Sequence, residues 1–286
     1  PAPLVDEDNT IFAVLAGHPR DPKWQEDVVD PTTKLMEETA QAIYGQPFYG
    51  DQKAPRRGPH HAETVGGSMG GGQEYPMNCF QTVFRALLLA QVLATKPFQR
   101  LAGFINGMLK SFGLNLHQYY ATTMQKLQEY DDGLRFPFDL ATSVFAATTF
   151  NFGPRTVTLP HLDFANLAWG WCSIVALGNF NPDKGGHLIL WDLRLVIRFP
   201  PGSCILIPSA ILRHSNVSIQ QGENRFSFTQ FTAAGLFRFV KNGFRTEKTA
   251  NATERSAAEK AERAEQRHLH FAKGVRMYKQ WDRAFE

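Results

Sequence analysis

Two hydrophobic periods divide the chain. Over residues 22–135 apolar positions recur at helical spacing. From about residue 136, short β-branched and aromatic runs alternate with turn signals. In the first stretch, residues 78–94 read as an amphipathic helix with Phe84, Leu87, Leu88 and Val92 on its apolar stripe, and 97–112 and 116–130 as two more helices. A loop over 45–76 interrupts them. It contains Arg56-Arg57-Gly58-Pro59-His60-His61 and Gly66-Gly67-Ser68-Met69-Gly70-Gly71-Gly72, too much glycine to hold a helix or strand cheaply. A loop of that length is functional or disordered. In the second stretch, strands are expected at residues 143–150, 155–159, 170–177, 187–193, 195–199, 203–207 and 225–232, with Pro200-Pro201-Gly202 as a turn between two of them. Many short strands at this spacing mean a sandwich or small barrel. A third stretch, residues 253–285, is rich in Ala, Glu, Lys and Arg and reads as an exposed helix. No internal repeat is visible.

Composition narrows the class only slightly. The 286 residues are 43% hydrophobic and 20% charged, which is ordinary for a globular chain. The 23 Phe are more telling, because they imply a core or pocket lined with flat, rigid rings. No run approaches the roughly 18 apolar residues of a membrane span, and the N-terminal Pro1-Ala2-Pro3 lacks a signal-peptide pattern. Three cysteines, Cys79, Cys172 and Cys204, are scattered. That argues against a disulfide framework and for a reducing compartment. A net charge of +3 permits a polyanionic partner without requiring one.

The sharpest chemical feature is His161-Leu162-Asp163. Residues i and i+2 of an extended backbone share a side, so an imidazole and a carboxylate can reach one ion. His214 follows the strand pair 195–199 and 203–207, which can return it to the same mouth. Two histidines and one carboxylate form the facial triad of non-haem iron(II) oxygenases. Three coordination positions stay open, two for a 2-oxo acid and one for dioxygen. Such a co-substrate needs a cation for its distal carboxylate. Arg225 lies eleven residues beyond His214 on the next expected strand, and its planar fork suits a carboxylate. Ser227 shares its face. An HxD pair alone is a weak signal; with the turn, the lone histidine and the arginine at these spacings it becomes a strong one. Five further histidines read plainly: His60 and His61 in the loop, His187 at a strand, and His268 and His270 solvated on the last helix. Gly66 to Gly72 matches no phosphate-binding pattern.

These residues resemble the TET/JBP family of nucleic-acid base dioxygenases, most of all the branch found in fungal genomes alongside transposons. The resemblance covers residues 143–242. It is carried by Phe152-Gly153-Pro154-Arg155, His161-Leu162-Asp163 through Asn166, Ala176-Leu177-Gly178-Asn179-Phe180, Gly185-Gly186-His187-Leu188, Phe199-Pro200-Pro201-Gly202-Ser203, His214-Ser215-Asn216 and Arg225-Phe226-Ser227. It implies an α+β fold, a double-stranded β-helix (jelly roll) core buttressed by N-terminal helices and a C-terminal helix. The whole chain would be one catalytic domain: a helical part over 1–135, the jelly roll over 136–250 and the last helix over 251–286. It implies iron(II) held by His161, Asp163 and His214, and 2-oxoglutarate held by Arg225 and Ser227 with Arg155 nearby. The substrate implied is the methyl group of 5-methylcytosine in DNA. Asn166 matches the residue that hydrogen-bonds the flipped base, and Phe231 the aromatic that stacks on it. Animal members carry a histidine at the position of Ala233, so here the pocket loses a polar contact and cytosine recognition loosens.

A base inside a duplex cannot reach buried iron, so the nucleotide must flip out. Arg56 and Arg57 are the candidates to meet the backbone from the glycine-rich loop. Three readings follow: a 5-methylcytosine dioxygenase, an AlkB-like N6-methyladenine demethylase (both activities in one site included), or a jelly-roll binding module without catalysis. DNA as the partner places the protein in the nucleus; no membrane and no protein partner is implied.

Overall fold

The computed structural model describes residues 1–45, 58–252 and 256–281; Arg56 and Arg57 lie outside them. The chain begins with a hairpin, β1 (Ala2–Val5) and β2 (Ile11–Gly17). The β2 run Ile-Phe-Ala-Val-Leu-Ala-Gly is apolar on both faces because both are covered. A π-helical turn, Gln25–Val29, leads into α1 (Asp30–Tyr44), which ends at Gly45 in the left-handed region, φ 70°.

The glycine-rich segment departs from the sequence reading. It contains β3 (His61–Ser68) and the short β4 (Met77–Asn78). Gly66 shows why glycine belongs in this strand. Its φ is 117°, and a Cβ there would lie 2.2 Å from the Ala146 carbonyl oxygen. The residue supplies close approach to the neighbouring strand rather than a break.

Three helices follow: α2 (Val83–Leu93), α3 (Lys96–Phe112) and α4 (Leu114–Tyr130). The Thr82 hydroxyl caps α2 by accepting from the Arg85 N–H at 3.4 Å. Its buried face is Leu89, Val92 and Leu93, whereas Phe84 and Leu87 are 58% and 62% exposed. This helix is apolar on two sides, so periodicity alone does not say which side is covered.

The remaining strands are β5 (Ala147–Phe152), β6 (Cys172–Asn179), β7 (Leu188–Leu190), β8 (Leu195–Ile197), β9 (Cys204–Ile207), β10 (His214–Asn216) and β11 (Asn224–Phe231). The Pro200-Pro201-Gly202 turn forms as expected, with Gly202 at φ 82° and the Ser203 N–H donating to the Pro200 carbonyl at 3.1 Å. The expected strand over 155–159 forms no ladder. Its carbonyls instead serve side chains, since Thr156 O accepts from both Arg225 Nη1 and Asn216 Nδ2. After β11 come α5 (Ala234–Lys241), α6 (Glu247–Ala252) and α7 (Ala257–Val275).

Among the described residues all strand ladders are antiparallel. The larger sheet runs β1-β2-β9-β6-β11-β5-β3-β4 and the smaller β10-β7-β8. The two are packed as a double-stranded β-helix. Alternation on the central strands sorts two cores. Cys172, Ile174 and Ala176 of β6, with Ile205 and Ile207 of β9, meet Leu188 and Leu190 of the smaller sheet. Val175, Leu177, Leu206, Phe226 and Phe228 point the other way, onto α3 and α4 through Phe98, Leu101 and Tyr120. Phe98 packs edge-on against Phe150 and Phe228 at 5.6 and 5.2 Å, one use of the many phenylalanines. The chain end returns to the start: the Ile11 N–H donates to Lys279 O at 2.8 Å, and the Tyr278 hydroxyl to Trp169 O at 2.8 Å. The solvated reading of His270 does not hold. Its ring lies 4.5 Å from that of Trp169, and burial first, then Lys241, Arg238 and Lys273, lower its pKa. Among the described residues no helix is long and apolar enough to cross a membrane.

Candidate metal and co-substrate site

His161 does not sit in a regular strand. It is fixed by a two-way bridge, His161 N–H to His214 O and His214 N–H to His161 O, both 3.1 Å. This pair brings a loop histidine and the first residue of β10 face to face. Asp163 is anchored by its N–H to the Ser209 carbonyl at 2.9 Å. The outcome is compact: one nitrogen from each imidazole and one Asp163 oxygen lie within 4.8 Å of one another. His161 Nε2 is 3.6 Å from Asp163 Oδ1, and His214 Nε2 is 3.9 Å from Asp163 Oδ2.

The outer ring nitrogens set the tautomers. His161 Nδ1 donates to Leu159 O at 2.8 Å, and His214 Nδ1 donates to Leu212 O at 2.9 Å. A carbonyl can only accept, so each Nδ1 carries a proton, and Nε2 is the ring nitrogen that faces Asp163 and can ligate a metal. Backbone carbonyls behind ligating histidines orient metal ligands in this way. His214 and Asp163 are 4% and 9% exposed. The donor set fits a divalent iron with three positions left open.

The triad opens into a cavity. β11 forms one wall, and its alternation holds without a bulge: Arg225, Ser227, Thr229 and Phe231 all line it. Arg225 is buried, 2% exposed. Nη1 donates to Thr156 O at 3.1 Å, but Nε has no hydrogen-bond partner, and the described residues offer the guanidinium no ion pair. Burial draws its pKa down to about 10, so it stays cationic at neutral pH. A buried cation without a counter-charge costs several kcal/mol on the order-of-magnitude scale for ions. A carboxylate arriving in the cavity would offset that cost. Ser227 stands beside it and accepts from Asn151 Nδ2 at 3.0 Å. The residues present therefore fit 2-oxoglutarate: the triad for its 2-oxo acid end, Arg225 and Ser227 for the other.

Asn166 lines the same cavity, its Nδ2 donating to the Ser209 hydroxyl at 3.1 Å. Two other sequence-derived candidates stand elsewhere. Arg155 is exposed and donates to Ile219 O at 3.0 Å, outside the cavity lining. Ala233 is 2% exposed and belongs to the helix-side core as the residue before α5. The same-face rule fails for it because β11 ends at Phe231, and the chain then turns into the helix.

Asn216, Asn151, Thr229 and His60 are among the cavity residues absent from the sequence-derived set. Asn216 follows His214 by two residues on β10 and was open to the alternation rule. Asn151 and Thr229 lie on strands whose inward face the cavity fixes. His60 gave no signal, because its segment reads as loop; it is 4% exposed and lines the cavity.

The double-stranded β-helix carries this triad at its open end. Among solved structures, the chain is similar to NgTET1 in complex with 5mC DNA: TM-score 0.44, 16% identity, 80% of this chain and 75% of that one covered. It is also similar to OsALKBH1, at TM-score 0.40, 8% identity and 80% and 99% coverage. A 2OG-Fe(II) oxygenase-family oxidoreductase from Burkholderia pseudomallei follows at TM-score 0.32, 17% identity and 59% and 64% coverage. No family model matches the chain. No curated protein matches it in sequence.

Proposed function

We propose that this protein is an iron(II)- and 2-oxoglutarate-dependent dioxygenase acting on a methylated base in DNA, 5-methylcytosine first. The observation that carries the enzymatic half is the pairing of the His161–Asp163–His214 triad with the buried, uncompensated Arg225 in one cavity. A binding module without catalysis has no use for that pairing.

Iron(II) and 2-oxoglutarate, when bound, supply the oxidation: dioxygen, 2-oxoglutarate and a C–H bond give a C–OH bond, succinate and carbon dioxide. The chain's own residues do the rest. His161 and His214 keep their Nε2 lone pairs inward because Leu159 and Leu212 hold the opposite nitrogens. Asp163 supplies the charge that offsets a cation. Arg225 fixes the co-substrate's remote end, so that its reactive end meets the metal in one orientation. Phe231 offers a flat face at the cavity wall and Asn166 a side-chain amide that can accept as well as donate, a combination suited to stacking a flipped base and reading its edge.

The base reading rests on the motif resemblance together with Phe231 and Asn166. A second reading, removal of the N6-methyl group of adenine in the same site, rests on the Asn166 side-chain amide, which can donate or accept and so can read the edge of either base. A DNA substrate also carries the proposal of a nuclear location. The test is mass spectrometry of nucleosides after incubation with DNA bearing either base. Oxidised methylcytosine, or adenine freed of its methyl group, is expected from wild type and not from Asp163→Ala. If neither base changes while 2-oxoglutarate is consumed, the substrate lies outside DNA.

A further inference from the structure

The geometry points to His60 as a second binding residue for the distal carboxylate of 2-oxoglutarate, opposite Arg225; this rests on the co-substrate reading above and extends it to a segment outside residues 143–242.

Sheet register places the two residues together. Asn151 of β5 pairs with Ala62 of β3 on one side and with Ser227 of β11 on the other. β3 and β11 both run antiparallel to β5, and so run the same way as each other. His60 lies two residues before Ala62, and Arg225 two residues before Ser227. Both therefore stand one step along from that row, at the same end and on the same face. Both line the cavity. Their backbones are two strand spacings apart, roughly 10 Å. Gly153, two residues beyond Asn151 and just past the end of β5, has no side chain to place between them.

Local packing also holds the histidine there. The His60 N–H donates to Gly58 O at 2.9 Å, closing a tight turn just before β3. Gly58 lies so close to Val157 that a Cβ on it would be 1.9 Å from the Val157 carbonyl oxygen. The same added Cβ would be 3.2 Å from the His60 ring. Val157 follows Thr156, whose carbonyl receives Arg225 Nη1. The imidazole is thus seated against the segment that positions the guanidinium. A dicarboxylate with its far end at Arg225 meets His60 from the other side, and an imidazole N–H can donate to the carboxylate oxygen that Arg225 leaves open.

The experiment compares binding of 2-oxoglutarate with that of 2-oxobutanoate, which keeps the 2-oxo acid but lacks the distal carboxylate. Calorimetry on manganese(II)-loaded protein reads binding without turnover. Wild type is expected to prefer 2-oxoglutarate. His60→Ala is expected to weaken 2-oxoglutarate about tenfold, the scale of a hydrogen bond to a charged group, and to leave 2-oxobutanoate unchanged. His60→Gln, which keeps an N–H donor, recovers most of the loss. His60→Phe, which keeps the ring volume without a donor, behaves as His60→Ala and replaces it if that variant melts prematurely. Equal weakening of both acids, or undiminished 2-oxoglutarate binding in His60→Phe, overturns the assignment. A wild-type protein with no preference between the acids removes the co-substrate reading itself.

Discussion

At the scale of single residues, Arg225 is the most exacting test of the chemistry. Burial holds its pKa near 10, below the usual 12.5. The sign follows from the charge. Below about pH 10 the folded protein carries a desolvated cation, and the cost fades as pH rises from about 10 toward 12.5, because the unfolded chain then binds more protons. At neutral pH the cost is present in full until a carboxylate arrives. Two outcomes are expected. Arg225→Ala raises the 2-oxoglutarate requirement by about 30- to 1000-fold, from the roughly 2 to 4 kcal/mol of a charge-assisted contact, and steady-state titration of the co-substrate reads it. Arg225→Met, in the absence of co-substrate, melts no lower than wild type, since an apolar side chain of similar volume replaces an uncompensated charge; 2-oxoglutarate raises the melting temperature of wild type and not of this variant. Phe231 and Ala233 divide in the same way. Phe231→Ala is expected to weaken any flipped base by about 1 to 3 kcal/mol with the fold intact. Ala233→His is expected to lower stability by about 1 to 3 kcal/mol through overpacking rather than shift base preference, because its Cβ faces the helix-side core. Thermal melting separates the two.

At the scale of elements, the motif half of the chain was legible and the first half less so. Strands β6, β7, β8, β9 and β11 fall where alternation and turn residues put them, and His214 arrives at the site because the Pro200-Pro201-Gly202 turn forms. The β1–β2 hairpin falls inside residues 1–135, expected to be helical, and corrects that reading: residues 1–21 carry no helical period, and the apolar run of β2 pairs as a strand. β3 was hidden by a rule that is true on average: glycine disfavours strands. At Gly66 the neighbouring strand comes so close that only glycine fits, a fact belonging to the partner strand and not to the local sequence. Gly66→Ala is therefore expected to cost about 2 kcal/mol or more, since both the φ of 117° and the 2.2 Å approach to Ala146 O must change. A denaturant midpoint measures it. His60 went unseen for the same reason, because a side chain cannot be assigned to a cavity before its strand is known. The triad itself was legible because its spacing is local on one side, His161 to Asp163, and set by a recognisable turn on the other.

At the scale of the whole molecule, helices back one face of the larger sheet and the cavity opens on the other, between the two sheets. Net charge is only +3, so the proposed DNA contacts would fall to local basic residues. If the partner is DNA, affinity falls with salt at a slope of about −0.9 per neutralised phosphate in log K against log salt; fluorescence anisotropy across a salt series reads the number of contacts, and a flat series contradicts a nucleic-acid partner. The central claim, a facial-triad iron site coupled to 2-oxoglutarate, is tested most directly by succinate release. Wild type supplied with iron(II), 2-oxoglutarate and dioxygen is expected to form succinate, and Asp163→Ala, folded as judged by melting, to form none. Succinate formed equally by both proteins, or by neither when iron is bound, would contradict the account.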